Sequence, residues 1–247
     1  EHLLILGDCL EAMEKMDDKS IDFIFTDPPY GHFNNDDDLA ARREYVFGGK
    51  PGERRPIAND GLDADELFRK AVDQFYRILK PGACVCCCCA GGGGRDVSYA
   101  TWSLYLDEVL DFKHMIVWDK GPMGMGWHYR RSYELILVAQ RQGAKCKWYD
   151  TTNRIENIIR PGYKGIRKLI PSAEHHPTEK PVNLVKHFLT LHTKPGDVVL
   201  DPFMGRGTTG VACEELGRNF IGVEIDEHWY QKAKERIDCL KAQEVLE

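Results

Sequence analysis

The chain has 247 residues, of which 43% are hydrophobic and 29% are charged. A chain of this length can bury one sizeable core, so we expect a single domain with insertions. The sequence contains no apolar run that could span a bilayer. Residues 3–6 lack the basic flank of a signal peptide, so we expect a cytoplasmic protein without a membrane partner. The formal net charge of −6 gives no overall support for nucleic-acid binding.

Seven apolar runs predict strands, and helical patterns separate them. The strands are expected at residues 3–6, 21–26, 83–89, 112–118, 133–139, 198–201 and 220–225. Most of these runs are continuous rather than alternating, as in strands that are covered on both faces. Apolar residues recur at helical spacing after Asp63, after Pro181 and from Trp229 onward, and Pro81-Gly82 should end the first of these helices. This alternation predicts a doubly wound α/β sheet.

Two segments are longer than a connection between elements needs to be. Residues 32–62 are polar, charged and rich in Gly and Pro, and we predict a mobile loop insertion there. Residues 141–175 form a second, irregular insertion. Its part from 141 to 168 holds eight Lys or Arg against two acidic residues, a net charge of +6. Either a solvated basic face or a DNA-binding surface accounts for this charge.

Nine cysteines raise the question of disulfides or a metal. Five of them fall within residues 84–89, where strand geometry sends neighbouring side chains to opposite faces, so adjacent cysteines cannot readily pair. No second cluster or further CxxC pair elsewhere in the sequence completes a zinc site. We therefore predict a buried structural strand of free thiols in a reducing compartment, and no metal.

A glycine-rich turn, GRGTTG, follows the strand expected at 198–201. Its residues Gly205, Gly207 and Gly210 have the GxGxxG spacing. Glycines let the backbone approach a ligand, and the N-terminus of the helix that follows offers unpaired N–H groups. The next strand leads to Glu224, whose carboxylate could hold ribose hydroxyls. The motif predicts an adenosine cofactor and leaves a nicotinamide-binding Rossmann oxidoreductase as one alternative.

A second motif consists of Asp27, Pro28, Pro29 and Tyr30, at the carboxyl end of the strand expected at 21–26. An aromatic amine is a poor nucleophile because its lone pair is delocalised into the ring. A carboxylate and a backbone carbonyl that accept its two hydrogens localise this lone pair. The prolines fix φ and remove competing donors, and Tyr30 offers a face on which an extruded base can stack. The motif predicts methyl transfer to an exocyclic base amine.

In this order, the two motifs resemble the amino-group DNA methyltransferases of the β arrangement, and most of all the adenine methylases of phages and prophages. Gly7-Asp8-Cys9-Leu10 is similar to the first block of that family, and HPTEKP (residues 176–181) to the block before the cofactor helix. The resemblance covers nearly all of the chain except residues 32–62. It implies a seven-stranded, mostly parallel sheet in which strand 133–139 is antiparallel. The chain order would be permuted so that the catalytic half precedes the cofactor half.

The resemblance also implies S-adenosylmethionine as cofactor and double-stranded DNA as substrate of a bacterial or phage-encoded enzyme. The implied cofactor contacts are Asp8, Cys9, Asp27, Thr178, Lys180, Asp201, Phe203, Gly205, Gly207, Thr208, Glu224 and Asp226. Lys180 or Thr178 is expected at the methionine carboxylate. Target recognition is expected in residues 141–175, with DNA contacts from Arg130, Arg131, Lys164, Arg167 and Lys168.

The target base and the partners stay open. The DPPY spelling favours adenine N6 over cytosine N4, and the absence of a Pro-Cys dipeptide removes the nucleophile motif of the cytosine C5 route. A catalytically silent cofactor-binding subunit is a further alternative, and the sequence is compatible with a homodimer or a cognate restriction endonuclease. Arginine pairs in residues 32–62 offer a second DNA surface, which we rank lower because Asp36-Asp37-Asp38 would repel phosphate.

Overall fold

The computed structural model describes residues 1–30, 63–90, 98–121, 128–160, 162 and 179–244. Eight strands lie in these ranges: β1 (His2–Leu6), β2 (Ile21–Thr26), β3 (Leu79–Ala90), β4 (Asp111–Asp119), β5 (Tyr133–Gln140), β6 (Ile158–Ile159), β7 (Val198–Asp201) and β8 (Asn219–Glu224). The helices there are α1 (Cys9–Glu14), α2 (Ala64–Ile78), α3 (Ser98–Val109), α4 (Val182–His192), α5 (Thr208–Glu215) and α6 (Glu227–Glu244). None of these described helices is long and apolar enough to cross a membrane.

The eight strands form one sheet in the order β1-β8-β7-β2-β3-β5-β4-β6. β5 runs antiparallel to both of its neighbours, β3 and β4, and all other adjacent strands are parallel. This confirms the predicted mostly parallel α/β sheet with one antiparallel strand. The two-residue β6, which the apolar pattern did not predict, is too short to give a periodic signal.

The predicted end of the helix that follows Asp63 is wrong, while most strand boundaries differ from the prediction by at most one residue. The helix that was expected to stop at Pro81-Gly82 already ends at Ile78, and β3 begins at Leu79. The pairing of β2 with β3 is irregular at this point, which lets a proline enter the strand. Gly82 has a φ of +79°, and a Cβ there would clash with the carbonyl oxygen of Lys145. The Pro-Gly pair is therefore an irregular start of a strand rather than a helix stop.

The two faces of the sheet carry separate hydrophobic cores, and the cysteine-rich strand β3 contributes to both. Cys87 and Cys89 pack on the face that α1, α2 and α3 cover. Cys84, Cys86 and Cys88 pack on the face that α4, α5 and α6 cover. All nine cysteines of the chain are free thiols. The prediction of a buried strand whose cysteines alternate between faces is confirmed.

The sheet also explains why distant acidic residues come together. β2, β7 and β8 are adjacent and parallel, so their carboxyl ends meet at one edge. Asp27 follows β2, Asp201 ends β7 and Glu224 ends β8. This edge is where open α/β sheets build their sites.

Candidate active site

Asp27 is hydrogen-bonded through both of its carboxylate oxygens. The Tyr30 hydroxyl donates to Oδ1, and the Lys180 ammonium nitrogen lies 2.5 Å from Oδ2. Burial raises the pKa of Asp27 above its ordinary value, although the charge of Lys180 opposes this. Burial also raises the pKa of Tyr30, so its hydroxyl keeps its proton and remains a donor. The motif therefore presents a carboxylate held by one neutral and one charged partner.

Lys180 connects Asp27 to a second carboxylate, which the sequence analysis missed. Its Nζ lies 3.3 Å from Oε2 of Glu134, and Nζ of Lys120 lies 2.5 Å from Oε1 of the same residue. Burial would lower the pKa of Lys180, but the charges of Asp27 and Glu134 raise it above its ordinary value. The result is a row of alternating charges in which Lys180 stays protonated. A glutamate directly before the apolar run LILVA of strand β5 was the available signal for such a buried pair.

The ring of Tyr30 is supported by aromatic residues of α2 and α3. Its centroid lies 6.0 Å from the ring of Trp102, which in turn stacks on Phe68 at 4.1 Å. The indole N–H of Trp102 donates to Asp65 over 2.7 Å. Because Trp102 and Phe68 are fully buried, this side of Tyr30 rests on a rigid part of the core.

The glycine-rich loop between β7 and α5 turns through two left-handed residues, Gly205 with a φ of +53° and Gly207 with a φ of +75°. A Cβ on Gly205 would meet nothing within 4 Å, so this side of the loop is open. A Cβ on Gly207 would lie 3.0 Å from that of Ala233. Gly207 therefore serves the packing of the loop on α6, whereas Gly205 leaves space for a ligand. α5 then begins at Thr208, and its first N–H groups have no acceptor within the helix.

Asp201 fixes the start of this loop from a buried position. Its Oδ1 accepts from Thr26 Oγ1 at 3.1 Å and from the Phe203 amide at 3.2 Å. Its Oδ2 accepts from Thr209 Oγ1 at 2.6 Å. Burial raises the pKa of Asp201 to about 7, although these three hydrogen bonds favour the charged form. Asp201 thus joins β2, the loop and the first turn of α5.

Glu224 holds the other side of the loop. One carboxylate oxygen accepts from the Gly205 amide at 2.8 Å, and the other accepts from the Asp226 amide at 2.9 Å. Burial raises the pKa of Glu224 above its ordinary value. The backbone carbonyl of Glu224 accepts from the amide of Gly7, which brings the first block of the sequence to the same edge.

The first block contributes mainly local structure. Oδ1 of Asp8 accepts from the amides of Leu10 and Glu11 at 2.8 and 3.1 Å, so Asp8 caps the N-terminus of α1. Cys9 is buried, and this burial raises its pKa to about 12. Its thiol therefore stays protonated.

The described end of the HPTEKP block connects the two motifs, while Thr178 lies outside the described residues. Glu179 pairs with Arg236 of α6 at 2.7 Å and with Arg206 of the glycine-rich loop at 3.5 Å. Its neighbour Lys180 pairs with Asp27. Two consecutive residues thus fix the glycine-rich loop and the DPPY motif relative to each other. The observed partner of Lys180 is Asp27, whereas the sequence analysis expected the methionine carboxylate of the cofactor.

A pocket lies between the two motifs and encloses about 460 Å³ of space, its open mouth included. Predicted site residues from three separate blocks line it, namely Asp27, Lys180, Asp201, Phe203, Gly205 and Thr208. The structure therefore brings together residues that the sequence grouped only by motif.

The predicted DNA contacts divide into two groups. Arg130 and Arg131 lie two to three residues before the start of β5. The first residues of β5 pair with the carboxyl ends of β3 and β4, at the same end of the sheet as the pocket. Lys164, Arg167 and Lys168 lie outside the described residues.

The interpretation of residues 141–168 as one exposed basic surface is wrong at two positions. Arg141 is buried, with its guanidinium 4.9 Å from the centre of the Tyr76 ring. Lys147 pairs with Asp22 at 2.6 Å, near the opposite end of the sheet from the pocket. Arg141 is thus buried against an aromatic ring and Lys147 is paired with a carboxylate, because the chain after β5 folds back along the amino ends of β2 and β3.

Comparison with known proteins gives consistent matches. A family model described as DNA methylase matches residues 21–235. Type II methyltransferase M2.DpnII of Streptococcus pneumoniae is 28% identical over an alignment that covers 96% of this chain and 90% of that protein. The crystal structure of the M1.HpyAVI-SAM complex superposes with a TM-score of 0.68 at 27% identity, covering 96% and 99% of the two chains. PvuII DNA methyltransferase, described as cytosine-N4-specific, shares the fold with a TM-score of 0.70 at 17% identity, covering 95% and 86%.

Proposed function

Because the chain belongs to the DNA methylase family, we propose that it methylates N6 of adenine in double-stranded DNA, with S-adenosylmethionine as the methyl donor. The observation that carries this proposal is the position of Asp27. Its carboxylate borders the pocket, is fixed by Tyr30 and Lys180, and lies next to the glycine-rich loop. The family match removes the oxidoreductase alternative, under which the DPPY motif has no role.

The pocket residues fit the proposed cofactor. The open side of Gly205 and the first N–H groups of α5 suit close contact with a polar ligand. Each carboxylate oxygen of Glu224 accepts one backbone hydrogen bond and keeps a lone pair for a ribose hydroxyl. Asp226 and Phe203 flank this position, and we assign Asp8, Cys9, Thr178, Asp201, Gly207 and Thr208 to the cofactor site as well. When bound, S-adenosylmethionine supplies an electrophilic methyl group on its sulfonium.

The residues of the DPPY motif prepare the amine. We assign one amine hydrogen to a remaining lone pair of Asp27 and the other to a backbone carbonyl of the Pro28-Pro29 segment. This arrangement localises the nitrogen lone pair, and the nitrogen loses one proton as it gains the methyl group. A carboxylate whose pKa burial has raised, as for Asp27, is a better proton acceptor than an exposed one. The face of Tyr30 would stack on the flipped base.

Lys180 and Glu134 would keep Asp27 in place during the reaction. The ammonium group of Lys180 is itself held between two carboxylates, so it cannot swing away without leaving a buried charge unpaired. A polar group that is fixed before reaction costs no reorganisation when charge moves in the transition state. An interaction of Lys180 with the methionine carboxylate stays a prediction.

The direct test is to incubate the protein with unmethylated DNA and S-adenosylmethionine and to analyse the nucleosides by mass spectrometry. The proposal expects N6-methyladenine, and Asp27→Ala protein serves as the control. N4-methylcytosine would keep the mechanism but change the base. Cofactor binding without any methylated nucleoside would instead indicate a catalytically silent subunit.

A further inference from the structure

Three side chains of metal-binding type meet near the opposite end of the central strands from the pocket. Cys84 lies in β3, Cys146 in the segment after β5 and His192 at the end of α4. One potential ligand atom from each lies within 4.8 Å of the other two. The two sulfur atoms are 3.4 Å apart. The cluster is assembled from three separate parts of the chain.

This cluster is separate from the proposed active site. Cys84 pairs with Gln140, the last residue of antiparallel β5, whereas Cys87 pairs with Thr26, next to Asp27. Three residues along a strand correspond to roughly 10 Å. A change at the cluster can therefore be made without touching the DPPY motif.

The imidazole of His192 is held in a fixed orientation. It is buried, and its ring stacks on Phe23 with a centroid distance of 5.2 Å and an interplanar angle of 10°. The ring of Trp148 packs against it in a T-shaped arrangement, with the two centroids 5.2 Å apart. Nδ1 lies 3.3 Å from the carbonyl oxygen of Lys147. A backbone carbonyl that accepts from one ring nitrogen is the usual support of a metal-binding histidine.

The backbone that carries Cys146 is fixed from two sides. The amide of Lys147 donates to the carbonyl of Gly82 at the start of β3, over 3.0 Å. The amide of Tyr149 donates to the carbonyl of Leu191 in α4, over 2.8 Å. These hydrogen bonds set the position of the Cys146 sulfur relative to both Cys84 and His192.

We propose that Cys84, Cys146 and His192 bind a thiophilic divalent cation of the Zn²⁺ class, with water as the fourth ligand. Zn–S bonds of about 2.3 Å in a tetrahedral site place two sulfurs about 3.8 Å apart, so the observed separation is short by a few tenths of an ångström. A disulfide requires about 2.05 Å and a much larger movement. Two thiolates balance the charge of the ion, and the two thiol protons pass to solvent on binding. Such an ion would join β3 and α4 to the start of the 141–175 segment.

The test uses the full chain, reduced and stripped of metal with a chelator. We expect one equivalent of Zn²⁺ to bind in competition with a chromogenic chelator and to raise the melting temperature. Co²⁺ should give thiolate-to-cobalt charge-transfer absorption. Cys146→Ser, a near-isosteric change at a half-buried position, removes one of the two thiolates, so it should lower this absorption and weaken Zn²⁺ binding by more than about tenfold. Cys239→Ser is the matched control, because Cys239 is exposed and outside the cluster.

Two results would overturn the proposal. The first is a reduced wild-type chain that takes up no ion. If Cys84 and Cys146 of that chain then form a disulfide on mild oxidation, the pair would be a redox-active pair rather than a metal site. The second is unchanged Zn²⁺ affinity in Cys146→Ser. His192→Gln, checked for folding by circular dichroism, gives an independent second variant and should likewise lose tight binding.

Discussion

The ammonium nitrogen of Lys180 lies 2.5 Å from Oδ2 of Asp27, although 153 positions separate the two residues in the chain. The same ammonium group lies 3.3 Å from Glu134. One buried cation therefore lies between two carboxylates, Asp27 directly after β2 and Glu134 in β5, next to the pocket. The Lys180–Asp27 contact therefore contributes to the stability of the fold and also fixes the position of the proposed catalytic carboxylate.

The first prediction concerns this cation. Lys180→Met should lower the free energy of unfolding by about 3–5 kcal/mol, because it leaves the buried Asp27 without its charged partner. Chemical denaturation measures the effect. Lys80→Met is the control: Lys80 also pairs with a buried aspartate, Asp22, but Lys147 would remain bound to that residue. Equal losses in the two variants would contradict the prediction.

Asp27→Ala should keep S-adenosylmethionine binding and abolish methylation, because the proposed role of Asp27 is to polarise the amine. Calorimetry measures binding, and a tritium-transfer assay measures turnover. Asp27→Asn should also be inactive, because the asparagine amide has a shape similar to that of the carboxylate but is a much weaker proton acceptor. Turnover at the wild-type level in the alanine variant would rule out the proposed mechanism.

Glu224→Ala should have the opposite effect and weaken cofactor binding while leaving the DPPY motif intact. A lost charged hydrogen bond corresponds to about 1.5–3 kcal/mol, or roughly a 10- to 150-fold rise in Kd by titration calorimetry. Glu227→Ala, at the exposed start of α6, serves as the control. If the wild type bound NAD and not S-adenosylmethionine, the proposed function would itself be wrong.

Asp201 should make the protein less stable as the pH rises. Burial raises the pKa of Asp201 from 3.8 to about 7, so the folded state holds this proton more tightly than the unfolded state does. The protonated Asp201 contributes its full share to the free energy of unfolding below about pH 4. Between pH 4 and 7 this contribution is lost, and the loss is on the order of 4 kcal/mol. Asp201→Asn should flatten this part of the stability profile, measured by denaturation without cofactor. Parallel profiles of wild type and variant would contradict the assignment.

Neutralising Lys164, Arg167 and Lys168 together should weaken DNA binding and flatten its salt dependence by about one unit of slope for each lost phosphate contact. Cofactor affinity should not change. The control replaces Lys15, Lys232 and Lys234, three cations outside the 141–175 segment. Unaltered affinity and slope in the first variant would move the proposed DNA surface to residues 32–62 or to Arg130 and Arg131.

The sequence alone determined the fold class, seven of the eight described strands and the two motifs. Continuous apolar runs mark strands that are covered on both faces, so β2 and β7 were predicted to the residue. The DPPY and GRGTTG motifs could be interpreted because their chemistry depends on residues adjacent in the chain. The alternation of β3 cysteines between two cores follows from strand geometry, which is also local.

Only the tertiary structure decided which distant residues touch. The order of the strands brings Lys180 and Glu134 to Asp27, and the fold-back after β5 brings Cys146 and His192 to Cys84. The sequence predicted no metal because its spacing showed no second cluster near the cysteine run. Likewise, the charge of residues 141–168 did not show that Arg141 is buried against Tyr76 or that Lys147 pairs with Asp22. Ion pairs and ligand sets depend on distances in space, and no local periodicity records those distances.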